Sequence, residues 1–260
     1  LHDDGRLSVH GTEGTGNGPL LTGRPRLVVD GERASLGAPW TRRRAGGVVA
    51  DYPAGDATLS LAVVPGRDEG TVLAYAWVEA RRPVRVDAVA YLGAGATAFG
   101  PEARVYEHGH ASWSPTGTLP VGERFPPEPS AGRAWTVDPA APDAGTGAGV
   151  RSSAGVTALR SGDEEPATLT LGFLDHRRFL PRIDVDDDAG GVAGLRAVCP
   201  LDGRRLDAGE TLTCAALRLD AGRTVEDGLR RWAARVGTRM DARVPGRPPT
   251  GWCSWYGAFD

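Results

Sequence analysis

The sequence predicts a mainly β protein built around a β-sandwich, and three observations predict it. Short apolar runs alternate residue by residue, clusters of Gly, Pro and Asp separate them at near-regular spacing, and only one stretch has the periodicity of a long helix. The run TVLAYAWVEA (residues 71–80) sets the pattern. Val72, Ala74, Ala76 and Val78 fall on one face and Leu73, Tyr75, Trp77 and Glu79 on the other, so both faces of this strand are expected to be at least partly covered. DATLSLAVV (56–64), PVRVDAVAYLG (83–93), ATLTLGFLD (167–175), GVAGLRAVCP (191–200) and TLTCAALRLD (211–220) read the same way. Residues 117–149 are dominated by Pro, Gly, Ala and acidic side chains, which predicts a long surface loop broken by one short strand near 133–137.

The helical stretch is TVEDGLRRWAARVGTRM (224–240). Thr224 is placed to cap it, Glu226 and Asp227 sit in the first turn where the helix dipole favours negative charge, and Leu229, Trp232, Ala233, Val236 and Met240 follow at helical spacing. In VPGRPPT, Pro245, Pro248 and Pro249 forbid helix, so an extended linker follows. The division expected from this order is a sandwich over 1–223, a linking helix over 224–240, a proline-rich linker over 241–249 and a new aromatic strand over 250–260.

Composition excludes several functions. With 260 residues the chain can bury a sizeable core. A net charge of −3 gives no footprint for nucleic acid. All 30 basic residues are arginine, and with 37 Gly and 20 Pro this reads as nucleotide bias in a GC-rich genome; Arg42, Arg43 and Arg44 are expected to be solvated surface. No apolar stretch reaches the length of a membrane span, and LHDDGRLSVHG lacks the basic start and apolar centre of a signal peptide, although the chain begins at Leu1. Three cysteines do not make a disulfide framework, which favours a reducing, cytoplasmic setting. Cys199 and Cys214 flank PLDGRRLDAGETLT and are expected to face each other across a hairpin, as two buried thiols or, alternatively, a disulfide.

The most chemically loaded stretch is TGWCSWYGAFD (250–260). On a strand, Trp252, Ser254 and Tyr256 share one face, and Cys253 and Trp255 the other. Flat aromatic rings suit the apolar C–H face of a pyranose, whose hydroxyls need hydrogen-bond partners at the rim. The plainer reading makes the tryptophans core anchors. PPTGWCSWYGAF (248–259) resembles the first barrel strand of the α-galactosidases of glycoside hydrolase family 36, in which a Gly-Trp-Cys-Ser-Trp-Tyr run opens the (β/α)8 catalytic barrel and lines the galactosyl subsite. VYEHGHASWSPTG (105–117) resembles the family's sandwich signature, an Asn-Gly-aromatic-Gln-Ser-Trp-Ser run before a glycine. Gly109, Ser112, Trp113, Ser114 and Gly117 match, while His108, His110 and Ala111 depart from it. LGFLDHRRFLPRIDVD (171–186) resembles the family's Gly-Phe-Leu strand with its following Phe and Ile.

The three matches stand in the family's order. They imply the N-terminal supersandwich of an α-galactosidase, followed by the first strand of an otherwise absent barrel, as in an enzyme cut just as its catalytic domain begins. Such retaining enzymes use two carboxyl groups about 5.5 Å apart. In this family both are aspartates on later barrel strands, so no catalytic residue is expected among these 260 and the chain alone is expected to be inert. The expected substrate-binding residues are Trp252, Cys253, Ser254, Trp255 and Tyr256, with Trp113 at the pocket rim. The expected partners are an α-galactoside, the missing barrel and a second copy of the chain. No cofactor, metal, nucleic acid or membrane is expected. A galactosyl transferase of the raffinose-synthase type and a stand-alone carbohydrate-binding sandwich remain as alternatives, the former disfavoured by Tyr256, where that group usually has an acidic residue.

Other titratable clusters are read as structural. Asp163, Glu164 and Glu165 in SGDEEP read as turn charge. Asp184, Asp186 and Asp188 resemble a calcium loop, but Gly190 comes one place late and Leu195 stands where the bidentate Glu belongs, so a solvated hairpin turn is expected. His108 and His110 have no third ligand nearby, so they are expected to shape the loop that carries Trp113.

Overall fold

The structure is a computed structural model that describes residues 2, 4, 6–11, 19–44, 46–93, 95, 97–109, 114–125, 150–222, 224–243 and 246. In chain order its strands are β1 (Leu7–His10), β2 (Pro19–Val29), β3 (Glu32–Arg33), β4 (Trp40–Arg44), β5 (Gly47–Ala54), β6 (Ala57–Pro65), β7 (Thr71–Ala80), β8 (Val84–Gly93) and β9 (Arg104–Glu107). They continue with β10 (Gly117–Pro120), β11 (Val150–Ala154), β12 (Val156–Arg160), β13 (Thr168–Phe173), β14 (Arg182–Asp188), β15 (Gly191–Leu206), β16 (Thr211–Thr213) and β17 (Leu217–Gly222). One helix, α1 (Val225–Met240), follows.

These strands form two antiparallel sheets. The smaller has seven strands, ordered β1-β2-β8-β15-β14-β11 with β3 also on β2. The larger has ten, ordered β10-β9-β12-β13-β17-β7-β6-β5-β4 with β16 also on β7. Their inner faces meet in one core that holds Leu27, Leu59, Leu61, Leu171, Ile183 and Leu195. Tyr91 from the smaller sheet meets Phe173 from the larger edge to face, with ring centroids 5.6 Å apart. The Tyr91 hydroxyl donates to the Ala215 carbonyl, so the one polar atom of that ring is matched inside the core.

β7 follows the alternation of its sequence. Ala74, Ala76 and Val78 are buried, while Leu73, Tyr75 and Trp77 are half-covered. β13 is buried on both faces: Leu169, Leu171 and Phe173 point into the core, and helix α1 covers Thr170 and Gly172 on the outside. SGDEEP is the exposed turn between β12 and β13.

Five expectations need correction. Residues 117–120 are not loop: they form β10, paired with β9 in register Gly117↔Glu107. The strand expected near 133–137 lies outside the described residues. β15 does not stop at Pro200. It bulges at Asp202 and Gly203, whose φ values are positive, and continues to Leu206 along β8. TLTCAALRLD is two strands, because Cys214, Ala215 and Ala216 turn their backbone groups to Ala76, Tyr91 and Leu174. Cys199 therefore lies on β15 of the smaller sheet and Cys214 in the segment between β16 and β17 of the larger, so they are neighbours within the core and not partners across a hairpin; both are buried free thiols. Asp184 is not turn charge. It is buried on β14, where it accepts from Ser152 at 2.9 Å and Arg182 at 3.1 Å. Only Asp188 serves the turn, accepting the Gly190 N–H at 2.7 Å. The arginine run is exposed on edge strand β4, as expected of a guarded edge, but Arg42 pairs with buried Asp51.

Candidate functional site

The stretches that carry two of the sequence motifs converge at one end of the larger sheet. There His108 and Gly109 follow β9, Ala154 and Gly155 link β11 to β12, His176, Leu180 and Pro181 follow β13, and Trp232 and Val236 project from α1. Together they line a cavity of about 240 Å³.

Backbone hydrogen bonds fix its walls. The His108 N–H donates to Ser153 Oγ at 2.7 Å, and its carbonyl accepts from Ala154 N–H at 2.7 Å. Gly155 N–H donates to Pro181 O at 2.9 Å, and Gly155 O accepts from Phe173 N–H at 2.8 Å. The Tyr106 ring stacks on His108, 6.3 Å between centroids. Gly109 is required by close approach: a Cβ there would lie 2.3 Å from Ser114 Cβ, so two matched motif positions, Gly109 and Ser114, press together.

The floor is the docked helix. Thr224 caps α1 by accepting from Asp227 N–H at 3.1 Å. A Cβ at Gly172 would lie 2.3 Å from Trp232 Cδ1, and one at Gly228 2.1 Å from Thr170 Oγ1, so these two glycines let helix and sheet touch. Trp232 Nε1 donates to Phe173 O at 2.9 Å, and His176 meets the indole edge to face at 6.4 Å. Beside this contact, buried Asp220 accepts from Arg218 at 2.7 Å and from both ends of the Arg231 fork at 3.0 and 2.6 Å. The helix therefore docks through Gly228, Trp232 and Arg231. Ala233, assigned to the apolar face, is exposed, and Leu229, Val236 and Met240 are only half-covered. Sequence periodicity missed this because the docking side mixes glycine, arginine and tryptophan.

Two imidazoles and one indole offer edges and a flat face to the cavity. Among the described residues, those that line it carry no carboxylate. Burial pulls the His176 pKa below its usual 6.5, against weaker upward pulls from the Phe173 carbonyl and Asp175. The imidazole is thus held neutral near pH 7. Among the described residues, no three His, Cys, Asp or Glu side chains group as metal ligands, and no helix is long and apolar enough to cross a membrane, which leaves a β-barrel unaddressed. Trp113, Trp252, Cys253, Ser254, Trp255, Tyr256 and His110 all lie outside the described residues. The third motif is a packing unit: Leu171, Phe173 and Ile183 are core, and Gly172 is the helix seat.

Neither a family model nor a curated protein matches the chain. Solved structures do. The α-galactosidase AgaB of family GH36 from Geobacillus stearothermophilus is 10% identical, covering 82% of this chain and 31% of its own, with a TM-score of 0.47. The galactosidase domain of the α-galactosidase–sucrose kinase AgaSK is 11% identical, covering 83% and 31%, with a TM-score of 0.46. The α-galactosidase from Lactobacillus brevis is 11% identical, covering 88% and 32%, with a TM-score of 0.36. The chain spans about a third of the length of the solved structures it matches.

Proposed function

We propose that this chain is the non-catalytic sandwich region of an α-galactosidase-like retaining glycoside hydrolase and acts on α-galactosides only as part of a larger enzyme. The observation that carries the reading is the junction of β9, the segment after β13, and α1. Two of the three sequence motifs that resemble the family meet there, although they are far apart in the chain. Packed glycines occupy their matched positions Gly109 and Gly172. In this reading residues 241–249 are the linker, and Trp252 to Tyr256 form the aromatic wall of the galactosyl subsite on the first barrel strand. Trp113 reaches the same pocket from the sandwich side. The nucleophile and the acid/base are, in this reading, two aspartates outside these 260 residues.

The test is hydrolysis of a nitrophenyl α-galactoside by the 260-residue chain and by the same chain extended along its own reading frame. Turnover by the extended chain alone is expected. Turnover by the short chain would overturn its non-catalytic role, and turnover by neither would overturn the glycosidase reading.

A further inference from the structure

Register sets a row of side chains across the outer face of the larger sheet. Trp40 on β4 lies opposite Asp51 on β5, Asp51 opposite Ser60 on β6, and Ser60 opposite Trp77 on β7. The next row on the same face runs Arg42, Val49, Ala62 and Tyr75. The alternate residues of these strands, among them Ala50, Tyr52, Leu59, Leu61, Ala76 and Val78, belong to the core, so both rows point away from it. Helix α1 packs on this side of the sheet with its main contacts on β12, β13 and β17, beyond the row.

The two flanks of this face are aromatic and its middle is small. Trp40 is 67% exposed. Tyr75 and Trp77 are half-covered and, two positions apart on β7, stand about 7 Å from each other along the strand. Between the flanks Val49, Asp51 and Ser60 are buried. The Asp51 charge is matched in place: it accepts from Ser60 Oγ at 2.7 Å and from both Nη atoms of Arg42, whose side chain is 47% exposed. The face thus offers aromatic carbon, a neutralised ion pair and the remaining guanidinium donors of Arg42. Such a face favours a neutral ligand with apolar C–H surface and hydroxyl groups. Its size points the same way. Four strands across and the five residues of β4 along measure about 14 Å by 17 Å, roughly 240 Å². A stable protein interface takes about 800 Å² from each partner, whereas a few sugar rings fit this area.

We propose that this face binds a neutral oligosaccharide, with sugar rings laid against Trp40, Tyr75 and Trp77 and hydroxyl groups turned to Arg42. The face shares no residue with the cavity between His108, His176 and Trp232. The proposal does not depend on the hydrolase reading.

Isothermal titration calorimetry of the full chain with cellohexaose and with maltohexaose tests this, with sedimentation velocity alongside. Binding of at least one hexaose is expected, and it should be unchanged when sodium chloride is raised to about 0.5 M, as for an uncharged ligand. Tighter binding of cellohexaose identifies an extended chain as the ligand; tighter binding of maltohexaose identifies a coiled one. Trp40→Ala, at an exposed position, is expected to weaken binding about tenfold without unfolding the protein. Trp77→Leu keeps apolar cover beside Ser60 and is expected to weaken it as much. Far-ultraviolet circular dichroism checks that both variants are folded, and Trp40→Ala decides alone if Trp77→Leu is not. Arg160→Gln, exposed at the end of β12, should bind as the parent chain does. The proposal is overturned if neither hexaose binds at millimolar concentration, if a folded variant of Trp40 or Trp77 binds as tightly as the parent, or if salt abolishes binding. It is also overturned if the chain sediments as a dimer that Trp40→Ala dissociates, which would give the face to a second copy.

Discussion

Replacing Asp220 by Asn removes one charge at the joint between the sandwich and α1. Asp220 is 1% exposed and Arg218 2% exposed, so their ion pair is shielded from water. Asp220 takes 2.7 Å from Arg218 Nη2, and 3.0 and 2.6 Å from the Arg231 fork. Asn keeps the shape but offers one acceptor and turns an NH2 toward a guanidinium. Leaving a buried charge without its partner costs about 3–5 kcal/mol. The Arg231 side chain is 38% exposed, so its half of the contact is worth only about 1 kcal/mol. Asp68, 3.0 Å from Arg218 Nη1, continues to neutralise part of the charge, which places the expected loss at the lower end, about 3 kcal/mol. In a chain of this size that lowers Tm by about 6–12 °C. Thermal and urea unfolding of Asp220→Asn and Arg231→Gln, followed by far-ultraviolet circular dichroism, measures both. The reasoning is refuted if Asp220→Asn costs less than about 1 kcal/mol, or if Arg231→Gln costs as much as Asp220→Asn.

Four further outcomes are expected. Gly172→Ala sets a Cβ 2.3 Å from the Trp232 indole, so the helix must shift; a loss of about 1–3 kcal/mol in urea unfolding is expected, and an unchanged midpoint would count against the glycine seat. His176 is held below its unfolded pKa of 6.5, so below that pH the unfolded chain binds the extra proton. Stability should therefore fall as pH drops from about 7 to 5, and His176→Gln should flatten that slope in pH-dependent unfolding. Cys199 and Cys214 are buried, so peptide mapping should find both unalkylated by iodoacetamide in the native chain and alkylated in guanidinium chloride. In the extended enzyme, Trp113→Ala is expected to raise KM for an α-galactoside several-fold with a smaller change in kcat; an unchanged KM would remove Trp113 from the pocket rim.

Strand and helix identity was legible because it is written locally. Alternation in TVLAYAWVEA and the turn charges of SGDEEP became β7 and the β12–β13 turn, and Thr224 with Glu226 and Asp227 opened α1 as their chemistry requires. Partnership was not legible, because a strand's period carries no label for its neighbour. Asp184 reads as turn charge until β11 and β15 flank it, and Cys214 reads as a hairpin partner of Cys199 until β15 and β16 join different sheets and bring the two thiols together from opposite sides of the core.

Trp252 to Tyr256 and Trp113 point to a sugar enzyme through the resemblance of their sequence motifs. The cavity between His108, His176 and Trp232 exists only because β9, β13 and α1 converge. Composition, alternation and capping determined that this chain is a β protein with one helix. Which charges are buried and which glycines are seats were decided by tertiary structure, since each depends on a neighbour that can lie 150 residues away, as Asp68 does from Arg218.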